Sequence, residues 1–315
     1  MKIMIPDDYQ DCVRRLDAFA RLAGHEVTIF NDTLSDIEAL AERFRDAEAL
    51  VLIRERTPIT AELLARLPRL RVISQTGGGA GHVDLAACRK HGVTVMTGTG
   101  SPQAPAELTW ALVLAARRHL VEEATHLKAG GWQRTLGSGL HGHTLGIFGY
   151  GRIGRLVARY GQAFGMKVLV WGRDGSRRRA TEDGLAIAAG QDDLFARADV
   201  LSLHLRLNEG TRGIVGAEHL ARMKPDALLV NTSRAQLIAP GALEAALVAG
   251  RPGQAAIDVF EEEPVPPQPL LALPNLLATP HLGYVEKDSY ELYFGDAFDN
   301  LLAFIDGKPV TNLAG

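Results

Sequence analysis

With only two cysteines, Cys12 and Cys88, in 315 residues, the chain has neither a disulfide framework nor a cysteine-based metal site. No apolar run approaches the ~18 residues that a membrane-spanning helix needs. Neither sign of charge dominates. The 34 Lys and Arg stand against 37 Asp and Glu, a formal balance of −3, so there is no cationic footprint for a polyanion and nucleic acid is not an expected partner. The opening Met-Lys-Ile-Met-Ile-Pro meets Asp7 and Asp8 at once, unlike a secretory signal, which leads to the expectation of a cytoplasmic protein. His141 and His143 form a His-x-His pair, but no third ligand or acidic partner presents itself, and no metal is expected. Internal repeats and low-complexity tracts are absent as well.

What is present fits a globular α/β protein of two domains. The length exceeds one ordinary core, and 46% apolar with 23% charged residues is a soluble profile. Short apolar segments read as buried strands at Lys2–Ile5, Glu26–Phe30, Ala49–Ile53, Arg71–Ser74 and Val93–Met96. Segments of helical spacing, such as Asp36–Phe44 and Thr60–Leu67, lie between them. Such alternation predicts parallel strands with crossover helices. A long helical pattern follows from Pro102 to about Leu127. A second set of strands is then expected at Leu145–Phe148, Lys167–Trp171, Val200–His204, Ala227–Asn231, Ala255–Val259 and Leu276–Ala278. The last helical pattern, Glu286–Ile305, suits a return to the first domain. The expected division is residues 1–100 with 286–315 as one discontinuous domain and 101–285 as the other.

The most informative stretch is Thr144-Leu-Gly-Ile-Phe-Gly-Tyr-Gly-Arg-Ile-Gly154. A short strand turns through Gly149, Gly151 and Gly154 into a helical pattern. In a dinucleotide site the first glycine permits the turn, the second leaves room for a pyrophosphate, and the third lets the helix pack closely. The helix N-terminus adds unpaired N–H groups and a partial positive charge.

Three polar clusters follow strands of the same domain: Asn231-Thr-Ser-Arg234, Asp258-Val-Phe-Glu-Glu-Glu263-Pro264, and Thr279-Pro-His281-Leu-Gly283-Tyr284. In a doubly wound sheet, ligands bind beyond the carboxyl ends of strands, where all three clusters emerge. Arginine, carboxylate and histidine together suit hydride transfer to a 2-oxo acid. Arg234 can grip and polarise a carbonyl with its planar fork of donors. His281 can give or take the proton at the oxygen. Glu263 can accept from the other ring nitrogen, fixing the tautomer and favouring a protonated imidazole. Taken singly, each residue also has an ordinary explanation: a surface ion pair, a solvated acidic run, a turn cap.

These motifs resemble those of the D-isomer-specific 2-hydroxyacid dehydrogenases, the family of phosphoglycerate, glycerate and D-lactate dehydrogenases. The resemblance rests on T-L-G-I-F-G-Y-G-R-I-G, N-T-S-R-A, D-V-F-E-E-E-P and T-P-H-L-G, and extends to Gly77–Asp84 and Pro105-Ala-Glu-Leu-Thr109. It implies two doubly wound parallel-sheet domains, the larger a Rossmann dinucleotide-binding domain inserted in a flavodoxin-like substrate domain. It implies a homodimer, with the 102–127 helix as its interdomain and dimer element. It implies a catalytic trio of Arg234, Glu263 and His281, with Gly77, Gly78 and Gly79 offering backbone N–H groups to the substrate carboxylate. Arg152, Ile153, Thr232, Ser233 and Asp258 resemble cofactor contacts, and His204 follows its strand in a place to lie along the cofactor. A nucleotide-sensing, corepressor-like protein on the same fold is the alternative from another class.

Departures bear on specificity. The acidic residue frequent at the end of the second nucleotide strand is missing; Trp171 is followed by Gly172, Arg173, Asp174, Gly175, Ser176 and Arg177. Arginines in place of that carboxylate favour a 2′-phosphate, so NADP(H) is placed ahead of NAD(H). The other possibility is Arg173 stacking on adenine while Asp174 serves the ribose. Ala235 and Ala239 replace a usual glycine and a frequent aspartate. Gly81 and His82 stand where Asp-Asn is common; His82 reads as a surface loop residue, with contact to substrate as the other reading. Trp132, His141 and His143 read as interdomain packing and surface residues.

Overall fold

The computed structural model describes residues 1–310 and 312–314. The chain forms two compact units, Met1–Ser101 with Glu286–Gly315, and Pro102–Val285.

The first unit is built on five parallel strands: β1 (Lys2–Ile5), β2 (Glu26–Ile29), β3 (Ala49–Leu52), β4 (Val72–Gln75) and β5 (Thr94–Thr97), in the order β2-β1-β3-β4-β5. The central strands β3 and β4 are buried at every residue, as a sheet covered on both faces requires, whereas edge strand β2 is not. Helix starts are set by side-chain caps. Asp36, Thr60 and Asp84 each accept the N–H three residues on, from Ala39, Leu63 and Ala87. The helix Lys287–Ile305 is capped by the Glu286 carboxylate, which accepts from Asp288 and Ser289 N–H. It belongs to this unit: Ser74 Oγ on β4 donates to Ala297 O at 2.7 Å, and Phe298 is fully buried.

The second unit carries seven parallel strands: β6 (Thr144–Phe148), β7 (Lys167–Trp171), β8 (Ala186–Ile187), β9 (Val200–Leu203), β10 (Leu228–Asn231), β11 (Gln254–Ile257) and β12 (Leu276–Ala278). Their order is β12-β11-β10-β9-β6-β7-β8. Alternate residues feed two apolar layers, with Leu201, Leu229 and Ile257 on one face and Ile147, Val170 and Val230 on the other. Strand order reverses between β6 and β9, and a ligand crevice is expected at such a switch point. The glycine turn leaves β6 there. Both sheets are thus the doubly wound type that the sequence predicts.

One expectation is corrected, and one element is new. The 102–127 pattern is not one helix: it divides into Gln103–Arg117 and Leu120–Lys128 at His119, which adopts a left-handed φ of 50°. The pair β8 was not anticipated, being only two residues long.

Candidate active site

At the end of β6, Gly149 has φ +100°, and a Cβ there would lie 2.6 Å from His204 O. Only glycine suits such a turn. A Cβ on Gly154 would collide with Gly149 O, so the third glycine lets the helix Arg152–Ala163 press against the turn itself. Around Gly151 there is open space: a Cβ would meet nothing within 4 Å. Gly151 is the N-cap of that helix and provides no side-chain cap to its first N–H groups. An open cradle facing an uncapped 12-residue helix fits a bound pyrophosphate, so this chain can hold a dinucleotide here through Gly149, Gly151, Arg152, Ile153 and Gly154.

The β10, β11 and β12 ends lie side by side, because those strands are neighbours. They bring together residues that are 18 apart in sequence: His281 Nδ1 lies 2.5 Å from Glu263 Oε2. Burial alone would raise the Glu263 carboxyl. The hydrogen bond and charge of His281, the Phe260 N–H and the Arg234 guanidinium together hold it below the usual carboxylate range. An ionised carboxylate can only accept, so Nδ1 carries the proton and Nε2 is the nitrogen left to face other groups. Arg234 ends the Asn231–Arg234 loop. Its carbonyl accepts from Asn231 Nδ2 at 2.9 Å, and its Nη1 donates to Ser233 O at 2.8 Å. The arginine thus stands close enough to bias Glu263.

His281 itself has a left-handed φ of 51°, a conformation an L-residue seldom adopts unless its surroundings enforce it. Asp258 does so. Its Oδ1 accepts from Thr279 Oγ1 (2.6 Å) and Leu282 N (2.7 Å), and its Oδ2 from Gly283 N (2.8 Å), gripping the turn on both sides of the histidine. Asp258 is fully buried, and burial pushes its carboxyl above the usual range despite those donors. Tyr284 meets the His281 ring edge-on at 5.2 Å.

Several of the expected cofactor contacts have side-chain partners within the chain. The Asp258 carboxylate faces its own chain and is not presented to a cofactor. Ser233 Oγ donates to Leu203 O, and Thr232 Oγ1 pairs with Thr109 Oγ1 at 2.6 Å, which in turn donates to Pro105 O. Thr232 and Ser233 thus direct their hydroxyls inward, leaving backbone groups for a ligand. His204 lies against the glycine turn through its backbone carbonyl and Cβ, with ring Nε2 2.8 Å from Ser202 Oγ and Nδ1 buried without a partner; burial pushes its pKa down to about 4. Trp132 is 75% exposed and does not pack as expected. The clamp made by Asp258 was missed, since spacing does not show which of several carboxylates turns inward.

At the end of β7, Arg177 pairs with Asp174 and lies 4.7 Å over the Trp171 ring. Gly172 leads into Arg173, whose Nη2 donates to Asn208 Oδ1 at 3.3 Å.

In the first unit, Gly77 has φ +80°, and the Arg54 guanidinium fills the space a Cβ would take. Gly78 and Gly79 continue the loop after β4, with the Glu55 carboxylate beside Gly79. His82 is not a surface residue: both ring nitrogens are buried, and burial lowers its pKa. Burial also pushes Cys12 up to about 12 and Cys88 up to about 11, so neither thiol is a nucleophile at neutral pH. Among the described residues no His, Cys, Asp and Glu cluster could hold a metal, and no helix is long and apolar enough to cross a membrane.

Residues 110–283 match the family model described as D-isomer specific 2-hydroxyacid dehydrogenase, NAD binding domain. A glyoxylate reductase of Aeropyrum pernix is 40% identical over 289 residues, covering 88% of this chain and 85% of that one. A D-3-phosphoglycerate dehydrogenase of Methanocaldococcus jannaschii is 39% identical over 249 residues, 78% of this chain and only 47% of its own length. The crystal structure of a phosphoglycerate oxidoreductase from Vibrio cholerae superposes with a TM-score of 0.95 at 56% identity, covering 98% of this chain and 99% of that one. The chain belongs to the D-isomer-specific 2-hydroxyacid dehydrogenases, oxidoreductases that move a hydride between a nicotinamide cofactor and a small 2-hydroxy or 2-oxo acid.

Proposed function

We propose that this enzyme reduces a small 2-oxo acid of the glyoxylate or hydroxypyruvate type, and oxidises the matching D-2-hydroxy acid in reverse. Arg234 and His281 are the catalytic residues and Glu263 positions His281. The observation that carries this reading is the 2.5 Å contact between His281 Nδ1 and Glu263 Oε2 in a turn locked by Asp258. The bound nicotinamide supplies or accepts the hydride. Nε2 of His281 gives the substrate oxygen its proton, and the Glu263 carboxylate stabilises the charged ring before transfer. Arg234 polarises the carbonyl and orients the acid with two donors of one planar group. In the other unit, the Gly77–Gly79 loop is proposed to offer backbone N–H groups to a carboxylate.

NADP(H) is the proposed cofactor. Arg173 brings positive charge to the end of β7, and Asp174 is already paired with Arg177. The enzyme is proposed to be a homodimer. Leu120, Val121, Leu127, Trp132 and Leu136 are exposed along 120–136, Leu136 at 95%, an apolar patch that a second copy would cover. A solution mass equal to one chain would reject the dimer. With both thiols free, a cytoplasmic setting suits the chain.

The test is a panel of 2-oxo acids assayed with NADPH and NADH in parallel, using wild type and Arg234→Ala. Turnover by wild type, lost in the variant, is expected. Tight nucleotide binding with no turnover over the whole panel would favour the sensor alternative instead.

A further inference from the structure

We propose that Asn208, in the loop after β9, is a specificity-determining residue for the cofactor: it docks Arg173 with an uncharged acceptor and so presents that guanidinium at full charge to a 2′-phosphate. The inference rests on the NADP(H) reading above and extends it to a residue outside the β7 loop.

The charges near the end of β7 are unequal in availability. Arg177 is neutralised by Asp174 and lies over Trp171. Arg179 reaches back to Tyr150 O at 3.1 Å, and Arg155 is paired with Asp183 at 2.7 Å. Arg179 is turned back onto the main chain of the glycine turn, whereas Arg173 reaches the loop after β9 and donates to a neutral side-chain amide, Asn208 Oδ1 at 3.3 Å. A carboxylate there would orient the guanidinium equally well and cancel most of its field. An amide oxygen orients it and leaves the field in place.

Asn208 is rigid enough for that task. Its N–H donates to Thr211 Oγ1 at 2.9 Å, and Thr211 Oγ1 donates to Arg206 O at 2.7 Å. Thr211 and Arg212 N–H both return to Asn208 O, and Thr211 is 4% exposed. Gly210 N–H donates to Asn208 Oδ1 at 3.0 Å, which fixes the amide with its oxygen toward Arg173 and Nδ2 toward Arg206 O. Strands β7 and β9 flank β6 on either side, so the Arg173–Asn208 bond joins the two loops that border the glycine turn.

The experiment is calorimetric titration of the apo-protein with adenosine 2′,5′-bisphosphate and with AMP, for wild type, Asn208→Asp, Arg173→Ala and the double variant. Asn208→Asp keeps an acceptor for Gly210 N–H, so the loop is retained. Expected is a loss of about 10-fold in bisphosphate affinity in Asn208→Asp, with AMP within about 2-fold of wild type. In the Arg173→Ala background the same change should add little, because the two residues act as one unit. An unchanged bisphosphate affinity in Asn208→Asp, or an equal fall for both ligands, overturns the role of Asn208 while leaving NADP(H) binding intact. A wild type that binds both ligands equally overturns the NADP(H) reading itself.

Discussion

The Asp258 carboxylate and the Gly283 amide meet at 2.8 Å, and a Cβ on Gly283 would stand 3.2 Å from that same oxygen. This contact and the bond to Leu282 hold the turn that puts His281 in its left-handed conformation. Removing the clamp should therefore cost both fold and chemistry. Asp258→Ala leaves the Leu282 and Gly283 N–H groups unpaired, one of them fully buried, and is expected to destabilise the unit by about 2–4 kcal/mol. Asp258→Asn keeps one acceptor oxygen and should lose less. Chemical unfolding followed by kcat on folded protein checks both; a stable, fully active alanine variant would remove the clamp from the argument.

Glu263 is expected to contribute through charge and not only through geometry. Its carboxyl lies below its ordinary range, so its stabilising bond to His281 is present above that range and is lost only as pH falls through the depressed value. Glu263 stays ionised across the neutral range, and activity changes there do not come from it. Glu263→Gln keeps an acceptor but loses the charge, and kcat should fall by roughly 10²-fold while nucleotide affinity stays near wild type. A glutamine variant with wild-type kcat would leave Glu263 without a role in proton transfer.

The buried imidazole of His204 makes stability fall with acid. Its pKa is about 4 in the fold and ~6.5 in an unfolded chain, so between those values only the unfolded chain takes the proton. Stability is therefore full above ~6.5 and declines toward 4, by up to about 2 kcal/mol at pH ~5. Urea unfolding at pH ~7.5 and ~5 should show this decline in wild type and a smaller one in His204→Gln. Equal declines in the two proteins would show that other groups carry it.

Gly149 and Gly151 should respond in opposite ways to alanine. Gly149→Ala forces a Cβ toward His204 O at a positive φ and is expected to unfold the turn. Gly151→Ala meets nothing in the protein, so its melting temperature should match wild type to within a few degrees while affinity for the nucleotide falls at least ~10-fold. An alanine at Gly151 that binds nucleotide normally would take the pyrophosphate out of this cradle.

How far the sequence anticipated the molecule depended on whether a feature is local. Interior strands such as β3 and β10 were legible as short runs that are wholly apolar or, in β10, apolar up to Asn231, and the glycine spacing located the β6 turn. The pairing of His281 with Glu263 was legible because both follow strand ends, and a parallel sheet gathers such ends on one edge. His119 was not: apolar spacing continues past it, and a left-handed histidine carries no sequence mark. Nor was the inward aim of Asp258, Thr232 and Ser233, which depends on hydrogen-bond partners far away in the chain. His82 was misjudged because a glycine-rich loop suggests solvent, yet its ring is enclosed.

The helix Lys287–Ile305 has a consequence for synthesis. It covers β4 through Ala297 and Phe298, but it leaves the ribosome more than two hundred residues after that strand. The contiguous Pro102–Val285 unit can finish folding while the N-terminal sheet still waits for its cover. During that interval the apolar surface of β4 is exposed to chaperones and to neighbouring nascent chains.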